Sequence, residues 1–326
     1  MIHKVKLYES NSFDPYWNLA TEQYLMETVE EDACILFLWQ NQNTVVIGKN
    51  QNAWKECRTA LLSEEGVTLA RRLSGGGAVF HDLGNLNFTF LMPQAEYDLD
   101  RQFAVIAKAI EFLGLEAERS GRNDMQINGR KFSGNAFYKN GSQAYHHGTL
   151  LVDVDMSKMG RYLNPSKAKL QAKGVDSVRS RVVNLNELNP EITVDTMKHA
   201  MREAFYAVYG VHCEVLDDSS FDHHSINQLY ERNKSWQWNY GQKLPFSVEM
   251  EERFAWGELQ ICLQIVSGLI QTASVYSDAM DWSLAPKLEQ LLTGCRFEKT
   301  ALTSRVCGLE SEFTADICDM IARQDI

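Results

Sequence analysis

The chain has 326 residues, 44% of them hydrophobic, and its 43 acidic residues outnumber 32 lysines and arginines, which gives a formal net charge of −11 at pH 7. This length and apolar content predict a globular protein of two domains, and the acidic charge argues against nucleic-acid binding. Because no apolar run approaches the roughly 18 residues of a membrane span and the N-terminus lacks the apolar core of a secretory signal, we expect a cytoplasmic protein with no membrane partner.

The first hundred residues predict short strands with helices around them. Asp14 followed by Pro15 is typical of a helix start, and apolar residues continue at helical spacing after it. Residues 34–39 and 44–50 have the composition of strands. Asp98 predicts the start of a further helix, so a sheet with flanking helices is expected.

Three consecutive glycines, Gly75 to Gly77, are the most informative feature of the sequence. Glycine lacks a Cβ atom, so such a run can adopt positive φ and bring backbone N–H groups against an anion. Residues 67–72 before it are typical of a strand, and residues 86–90 after it alternate with a period of two. The loop therefore joins strands, which excludes the P-loop and the Rossmann fingerprint, since both require a helix at that point.

Two arginines, Arg71 and Arg72, precede the glycines. A bare glycine run is more often a flexible turn than a binding loop. On a strand, however, successive side chains point to opposite faces, so one arginine can face the loop.

Two Asn-Gly pairs, Asn128–Gly129 and Asn140–Gly141, predict type I′ turns. We therefore expect residues 123–127, 130–138 and 143–154 to form an antiparallel meander. The polar residues that this places on one small sheet are Asp124, Lys131 and His147.

A basic segment follows in this otherwise acidic protein. Between residues 158 and 181, seven lysines and arginines accompany a single acidic residue, Asp176. The segment has too little apolar periodicity for a packed element, so we expect a mobile loop. A charge run of this kind is also typical of a solvated surface.

The remainder of the chain predicts a second, smaller domain. Helices near 193–210 and 224–232 precede a segment with the composition of a linker, and we place the domain boundary at residue 245. Residues 248–326 contain strand-like and helical segments but no motif that we can assign to chemistry.

Seven cysteines are scattered through the chain without a C-x-x-C pair, in a protein too long to need disulfide staples. We expect reduced thiols. No cysteine lies between Cys57 and Cys213, so the glycine loop, the meander and the basic segment contain no sulfur nucleophile.

Taken together, these motifs resemble those of the lipoate–protein ligase A family in the biotin/lipoate protein ligase superfamily. The resemblance rests on RRLSGGGAVFHDLGN, GRND, KFSG, HHGTLL and AKGVDSVRSRVVNL, and it extends to WNLA near the start and to the C-terminal domain. It implies an α+β fold with a mixed, largely antiparallel sheet and flanking helices. The catalytic domain would span residues 1–245, with its core at 30–217, and a small α+β accessory domain would span 246–326.

The resemblance implies a two-step reaction. (R)-Lipoate and ATP, with Mg²⁺, form lipoyl-adenylate and release pyrophosphate, and the lipoyl group then passes to a lysine of an acceptor protein. The implied acceptors are the apo lipoyl domains of 2-oxoacid dehydrogenase complexes and the H protein of the glycine cleavage system. Free lipoate would thereby be salvaged.

The resemblance also implies residue roles. Attack of a carboxylate on an α-phosphate brings two anions together, so cations and fixed donors are needed. Lys131 matches the family's catalytic lysine, although a strand lysine beside a hairpin turn is otherwise more often solvated. The implied ATP and adenylate contacts are Arg72, Gly75, Gly76, Gly77, Ala78, Val79, Phe80, Asp124, Lys131 and Lys173.

Lipoate itself requires an apolar tunnel for its ring and chain. The implied lipoate contacts are Leu19, Trp39, Arg72, His81, Lys131 and His147, with Val79 and Phe80 as further walls. Asp124 is the candidate for Mg²⁺, which proteins usually hold through one or two carboxylates and phosphate oxygens; a turn cap is the alternative. The spacing of His81, His146 and His147 fits no zinc site and favours structural histidines.

Water would destroy an acyl-adenylate, so an enzyme of this kind must close over its intermediate. The resemblance implies that the basic loop at 167–181 orders over the adenylate and that Lys173 contacts the nucleotide. It also implies that the C-terminal domain swings aside to admit the acceptor.

Other enzymes with the same fold and a non-catalytic binding protein stay open as alternatives. An octanoyl- or lipoyltransferase would carry the acyl group on a cysteine, and the lack of cysteine between residues 57 and 213 favours activation by ATP instead. Biotin ligase shares the architecture, but its arginine-rich glycine loop is absent. A non-catalytic binder of lipoyl domains would have no need of Arg72, the three glycines and Lys131.

Overall fold

The computed structural model of the chain describes residues 2–121, 123–163, 182–210, 213–240, 248–266, 269–297 and 299–324. Lys173, the rest of the basic loop at 167–181, and the proposed boundary at residue 245 lie outside these residues. Within the described ranges, no helix is both long enough and apolar enough to cross a bilayer.

Fourteen strands occur in the described residues. They are β1 (Lys4–Glu9), β2 (Ala33–Trp39), β3 (Thr44–Ile47), β4 (Thr68–Arg71), β5 (Val79–His81), β6 (Asn85–Pro93), β7 (Glu118–Ser120), β8 (Asp124–Ile127), β9 (Arg130–Lys139), β10 (Gln143–Leu151), β11 (Cys213–Val215), β12 (Val248–Phe254), β13 (Gly257–Val266) and β14 (Leu269–Ser277). They form three sheets, with the orders β11-β1-β2-β6-β10-β9-β8-β7, β4-β3-β5 and β12-β13-β14.

The eight-stranded sheet is mixed and largely antiparallel. Strand β1 pairs in parallel with β2 and β11, and the other neighbours pair antiparallel. The expected meander β8-β9-β10 is present, but it does not form the small separate sheet that the sequence suggested. Because β10 pairs with β6 from Gln143–Pro93 to Leu151–Asn85, the meander continues the large sheet. Asp124, Lys131 and His147 therefore lie on the largest sheet of the molecule.

The two Asn-Gly turns differ. Asn128 and Gly129 have φ of 51° and 75°, as the predicted type I′ turn requires. At the second turn only Gly141 has positive φ, at 97°, so the type I′ prediction is wrong there. The side-chain oxygen of Asn140 instead accepts hydrogen bonds from the backbone N–H groups of Ser142 and Gln143.

The helices pack around these sheets. They are α1 (Pro15–Thr28), α2 (Ala53–Glu56), α3 (Thr59–Glu64), α4 (Leu99–Phe112), α5 (Met156–Tyr162), α6 (Leu185–Leu188), α7 (Val194–Tyr209), α8 (His223–Lys234), α9 (Trp236–Asn239), α10 (Leu284–Leu292), α11 (Lys299–Val306) and α12 (Thr314–Ala322). Asp14 and Asp98 cap α1 and α4 as predicted, each accepting a hydrogen bond from a backbone N–H of the first turn.

The period of two along β2 and β6 divides the core between the two faces of the large sheet. Leu36, Leu38, Phe88 and Phe90 pack with α4 and α7 on one face. Trp39, on the opposite face, packs in a cluster with α1. A third cluster lies beneath the small sheet, and a fourth fills the C-terminal unit of β12–β14 and α10–α12. The α+β prediction is therefore confirmed.

Candidate active site

A cavity of about 180 Å³ lies between the large sheet, α1, the small sheet and the glycine loop. Most of the residues that the sequence singled out line it: Leu19, Trp39, Arg72, Gly76, Gly77, Ala78, Val79, His81, Lys131 and His147. The alternation of β10 directs His147 and Thr149 to this face. The fold thus brings together residues that are more than 100 positions apart in sequence.

Three other predicted residues do not line the cavity. Phe80 is buried beneath the small sheet, where its ring packs at a tilt against Tyr162, because it alternates on β5 with the cavity residues Val79 and His81. Its side chain is therefore not a wall of this cavity, contrary to the expectation. Gly75 faces Ala279 and Met280, which belong to the C-terminal unit of β12–β14 and α10–α12, the accessory unit, and Asp124 lies at the edge of the cavity beside Lys131.

The glycine loop joins β4 to β5, as expected, and is held by main-chain contacts. Gly76 has φ of 87°, and its N–H donates to the carbonyl oxygen of Ala279 at 3.3 Å. A Cβ atom on Gly75 would lie 2.3 Å from that same oxygen. Glycine is therefore required at Gly75 by close backbone approach and is favoured at Gly76 by its positive φ.

Arg72 supplies the positive charge behind the loop. Its guanidinium donates to the carbonyl oxygens of Gly75 at 2.7 Å and Gly77 at 2.8 Å, and its Nε donates to the Ser74 hydroxyl at 3.0 Å. Burial lowers the pKa of Arg72 to about 10, so the side chain is still charged at neutral pH. Because all its described hydrogen-bond acceptors are neutral, the positive potential stays available to an anion.

Arg71 points to the opposite side, as the strand geometry predicts. It donates to the carbonyl oxygens of Gly48, Lys49 and Gln51 and so fixes the turn after β3. Its remaining donors reach Trp238 and Asn239, which lie in the aromatic segment after α8. Arg71 is therefore a structural residue that ties this segment to the small sheet.

A buried hydrogen-bonded chain connects α1 to the glycine loop. The Glu22 carboxylate accepts from the Thr89 hydroxyl at 2.7 Å and lies 2.8 Å from His147 Nδ1. His147 Nε2 lies 2.8 Å from the Ser74 hydroxyl. The Ser74 oxygen also accepts from Arg72 Nε, so these contacts link Glu22 to the loop arginine without a break. Glu22 thereby orients the loop arginine through two intermediate side chains.

Lys131 stands at the cavity mouth. Its Nζ atom forms an ion pair with Asp124 at 2.7 Å, and the two side chains are 36% and 38% exposed. A Cβ on Gly134 would approach Nζ to 2.9 Å, so this glycine lets the lysine lie across the strand. The Lys131 carbonyl accepts from the backbone N–H of Val183, so the chain that follows the basic loop returns directly beside this lysine.

Two buried donors on the cavity wall have no described partner, namely His81 Nε2 and Asn87 Nδ2. Asn41 uses its side-chain oxygen to accept from Asn18, so its nitrogen donates to His81 Nδ1. Burial lowers the pKa of His81 to about 3, and the neutral ring must carry its proton on Nε2. Both groups can therefore donate to acceptor atoms of a bound ligand.

The histidine cluster has no metal-binding geometry in the described residues, where no group of three or more histidine, cysteine or acidic side chains converges. His146 is fully buried, and its two ring nitrogens lie within 3.0 Å of Gln102 and Asn135. It forms part of the core beneath the sheet.

The mixed sheet, the glycine loop opposite a lysine and the α+β accessory unit together have the architecture of the lipoate ligase fold. The sequence model of one protein family, the lipoyl protein ligase A/B catalytic domain, matches residues 14–206. The model of a second family, the bacterial lipoate protein ligase C-terminus, matches residues 243–322. The chain therefore belongs to the lipoate–protein ligase A family, a family of ligases, which confirms the resemblance noted in the sequence.

Individual relatives agree with this assignment. The chain is 42% identical to the lipoate-protein ligase A of Psychrobacter cryohalolentis over 97% of both proteins. It is similar to the crystal structure of P. falciparum LipL1 in complex with lipoate, with a TM-score of 0.87, 29% identity and coverage of 98% of this chain and 100% of that one. A lipoate-protein ligase A bound with ATP has a TM-score of 0.63 and 22% identity over 74% and 99% of the two chains, which shows a shared fold.

Sequence reasoning missed several wall residues. Asn87 and Thr149 were detectable from strand alternation. Thr149 lies two residues after the cavity residue His147 on β10. Asn87 lies two residues before the polar residue Thr89 on β6, so both point to the same side of that strand. The other missed walls include Val46, Asn123, Asn135 and Met280. Met280 had no signal, since it comes from the accessory unit and reaches the cavity only through the docking of two separate cores.

Proposed function

We propose that this protein activates lipoate with ATP to lipoyl-adenylate and transfers the lipoyl group to a lysine of an acceptor protein. The observation that carries the proposal is the single cavity that combines an Arg72-backed glycine loop, the half-exposed Lys131 and an apolar wall at Trp39. Such a cavity can hold an anionic phosphate and an apolar acid side by side.

The proposed positions of the substrates follow from the charges. Leu19 and Trp39 supply apolar surface for the lipoate ring and chain. The main chain from Gly76 to Val79 and the Arg72 guanidinium face the adenylate. Lys131 contacts both the carboxylate and the α-phosphate, where it reduces the repulsion between the two anions.

The Lys131–Asp124 ion pair must rearrange when these substrates bind. The amine of Lys131 is only partly buried, so replacing its Asp124 partner by a phosphate oxygen has a small desolvation cost. We propose that the released Asp124 holds Mg²⁺ together with phosphate oxygens, since a single protein carboxylate is common at magnesium–nucleotide sites. Mg²⁺ would neutralise charge on the phosphates.

The division of the chain into residues 1–245 and 246–326, with the catalytic core at 30–217, is part of this proposal. So is closure of the basic loop, with Lys173 contacting the nucleotide. Two described bridges support this proposal. Leu163, before the loop, pairs with Cys57, and Val182, after it, pairs with Lys131.

The proposed acceptors are apo lipoyl domains of 2-oxoacid dehydrogenase complexes and the glycine cleavage H protein. A thioester route is disfavoured by the burial of Cys57, which is 1% exposed. Burial raises the pKa of Cys57 to about 12, so it is not a thiolate nucleophile at neutral pH. No described residue of the cavity wall is a cysteine.

Intact-mass analysis of an apo lipoyl domain and an apo H protein tests this proposal. Each acceptor is incubated with the enzyme and lipoate, with and without ATP and Mg²⁺. We expect a single lipoyl addition that depends on ATP and is lost when the acceptor lysine is replaced by arginine. Acceptor modification in the absence of ATP would instead favour a transferase, and no modification under any condition would favour a binding protein.

A further inference from the structure

Two thiols of the accessory unit contact each other away from the cavity. Cys307 follows α11 and Cys318 lies on α12, and their Sγ atoms are 3.5 Å apart. Among the six cysteines with described side chains, the other four, Cys34, Cys57, Cys262 and Cys295, are buried. Cys307 is exposed and Cys318 is half-buried, so the two thiols that reach solvent are the two that meet.

The packing of α11 against α12 holds this pair in place. Leu302, Val306 and Ile317 are fully buried between these helices and the accessory sheet. A disulfide requires an S–S distance of about 2.0 Å, so the two sulfur atoms are about 1.5 Å from bonding distance, which side-chain rotation can provide.

We propose that Cys307 and Cys318 form a redox-active dithiol site that reacts with low-molecular-weight disulfides. The Cys307 thiolate attacks one sulfur of the reagent, forms a mixed disulfide and releases one thiolate. The Cys318 thiol then loses its proton to solvent as its sulfur attacks the Cys307 sulfur, which releases the second thiolate. The protein loses two electrons and two protons, and the reagent gains them to become two thiols.

The order of attack follows from the surroundings of each sulfur. Burial and the hydrogen bond to Cys307 raise the pKa of Cys318 to about 11, so this thiol is protonated at neutral pH. Cys307 is open to solvent and meets the reagent first. Cys318 is placed to act second, because its sulfur already contacts the atom that it must attack.

Treatment of the full-length protein with oxidised glutathione tests the site. Free thiols are then alkylated under denaturing conditions, and the digested protein is examined by mass spectrometry. We expect a cross-linked peptide pair that joins Cys307 to Cys318 and alkylation of the four buried cysteines. A stable glutathione adduct on Cys307 with Cys318 alkylated, or alkylation of both, overturns the proposal.

Variants separate the two roles. In Cys318→Ser the glutathione adduct on Cys307 is expected to persist, since no second thiol resolves it, and in Cys307→Ser both the adduct and the cross-link are lost. Cys295→Ala removes a buried thiol of the same unit and should leave the cross-link intact. Circular dichroism checks that each variant is folded.

Phenylarsine oxide gives a second, independent measurement, because trivalent arsenic bridges two adjacent thiols. The reduced protein should bind one equivalent, and each serine variant should lose this binding. Equal binding by the unaltered protein and Cys307→Ser would contradict the dithiol assignment. Neither measurement involves lipoate or ATP, so their outcomes are independent of the proposed ligase function.

Discussion

Arg72 carries a charge that is buried without an ion-pair partner among its hydrogen-bond acceptors, since it is 6% exposed and is hydrogen-bonded to neutral oxygens. Lys131 differs, because it is partly exposed and forms an ion pair with Asp124. A phosphate that enters the cavity therefore meets, at Arg72, positive potential that the protein has not already neutralised. The Glu22–His147–Ser74 chain contributes by orienting Arg72, while its own carboxylate is held by His147 and Thr89.

Replacement of Lys131 by alanine tests the cation at the reacting centre. We expect Lys131→Ala to lower the rate of lipoyl-adenylate formation by at least about 100-fold, because the two anions then meet without their shared donor. The side chain is partly exposed, so the fold should be unaffected. Single-turnover quench assays measure the adenylate directly.

The matched control is Lys139→Ala, on the same strand but outside the cavity wall. Its Nζ lies over the Tyr97 ring, so its removal tests the general loss of a lysine from β9. Adenylate formation should be unchanged in this variant. Undiminished synthesis by a folded Lys131→Ala protein would remove Lys131 from the proposed chemistry.

Much of the residue-level site could be predicted from the motif context. Strand alternation required only that one of Arg71 and Arg72 face the loop, and the family resemblance selected Arg72; the structure shows this arrangement. Phe80 could not be placed by the motif alone. The alternation that puts Val79 and His81 on the cavity also turns Phe80 into the core.

At the scale of elements, the glycine loop needs glycine because the main chain of another segment lies close to it, more than because the loop must be flexible. A Cβ on Gly75 would lie within 3.2 Å of three main-chain atoms of Ala279 and Met280. At Gly77, by contrast, an added Cβ would have no neighbour within 4 Å. The two positions are therefore a matched pair for testing how the loop is held.

We expect Gly75→Ala to lower the free energy of unfolding by about 1–3 kcal/mol, since backbone must shift to admit the methyl group. Gly77→Ala should change it by less than about 0.5 kcal/mol. Urea unfolding followed by tryptophan fluorescence measures both. Equal destabilisation of the two variants would show that the contact with Ala279 does not hold the loop.

Element prediction succeeded where a local signal agreed with the tertiary structure. The aspartate caps marked α1 and α4, and Asn128–Gly129 marked a hairpin. Strand β1 was missed although its signal is present, since Lys4 and Lys6 alternate with the core residues Val5 and Leu7. Helix α11 has little amphipathic character in sequence and forms through packing in the accessory core.

At the scale of the molecule, the accessory unit completes the wall of the cavity. Met280 lines it, and Trp282 donates from its indole N–H to the Lys139 carbonyl and packs on the Tyr138 ring. Asn50 accepts from Ser277 and donates to the Trp282 carbonyl. The hydrogen bonds among these contacts are polar links of the kind found at interfaces that can separate.

Sequence patterns could not predict this docking. Periodicity and capping report on local structure, whereas the approach of Ala279 to Gly75 depends on how two independent cores meet. The α+β character of both units was predictable from strand and helix signals in each half. The contribution of Met280 to the cavity was not.

The most direct measurement is the exchange of labelled pyrophosphate into ATP in the absence of any acceptor protein. If the cavity joins lipoate to AMP, the enzyme should catalyse exchange when lipoate and Mg²⁺ are present and show none when lipoate is omitted. Lipoate-independent exchange, or no exchange by a protein that still modifies its acceptor, would contradict acid activation at this site.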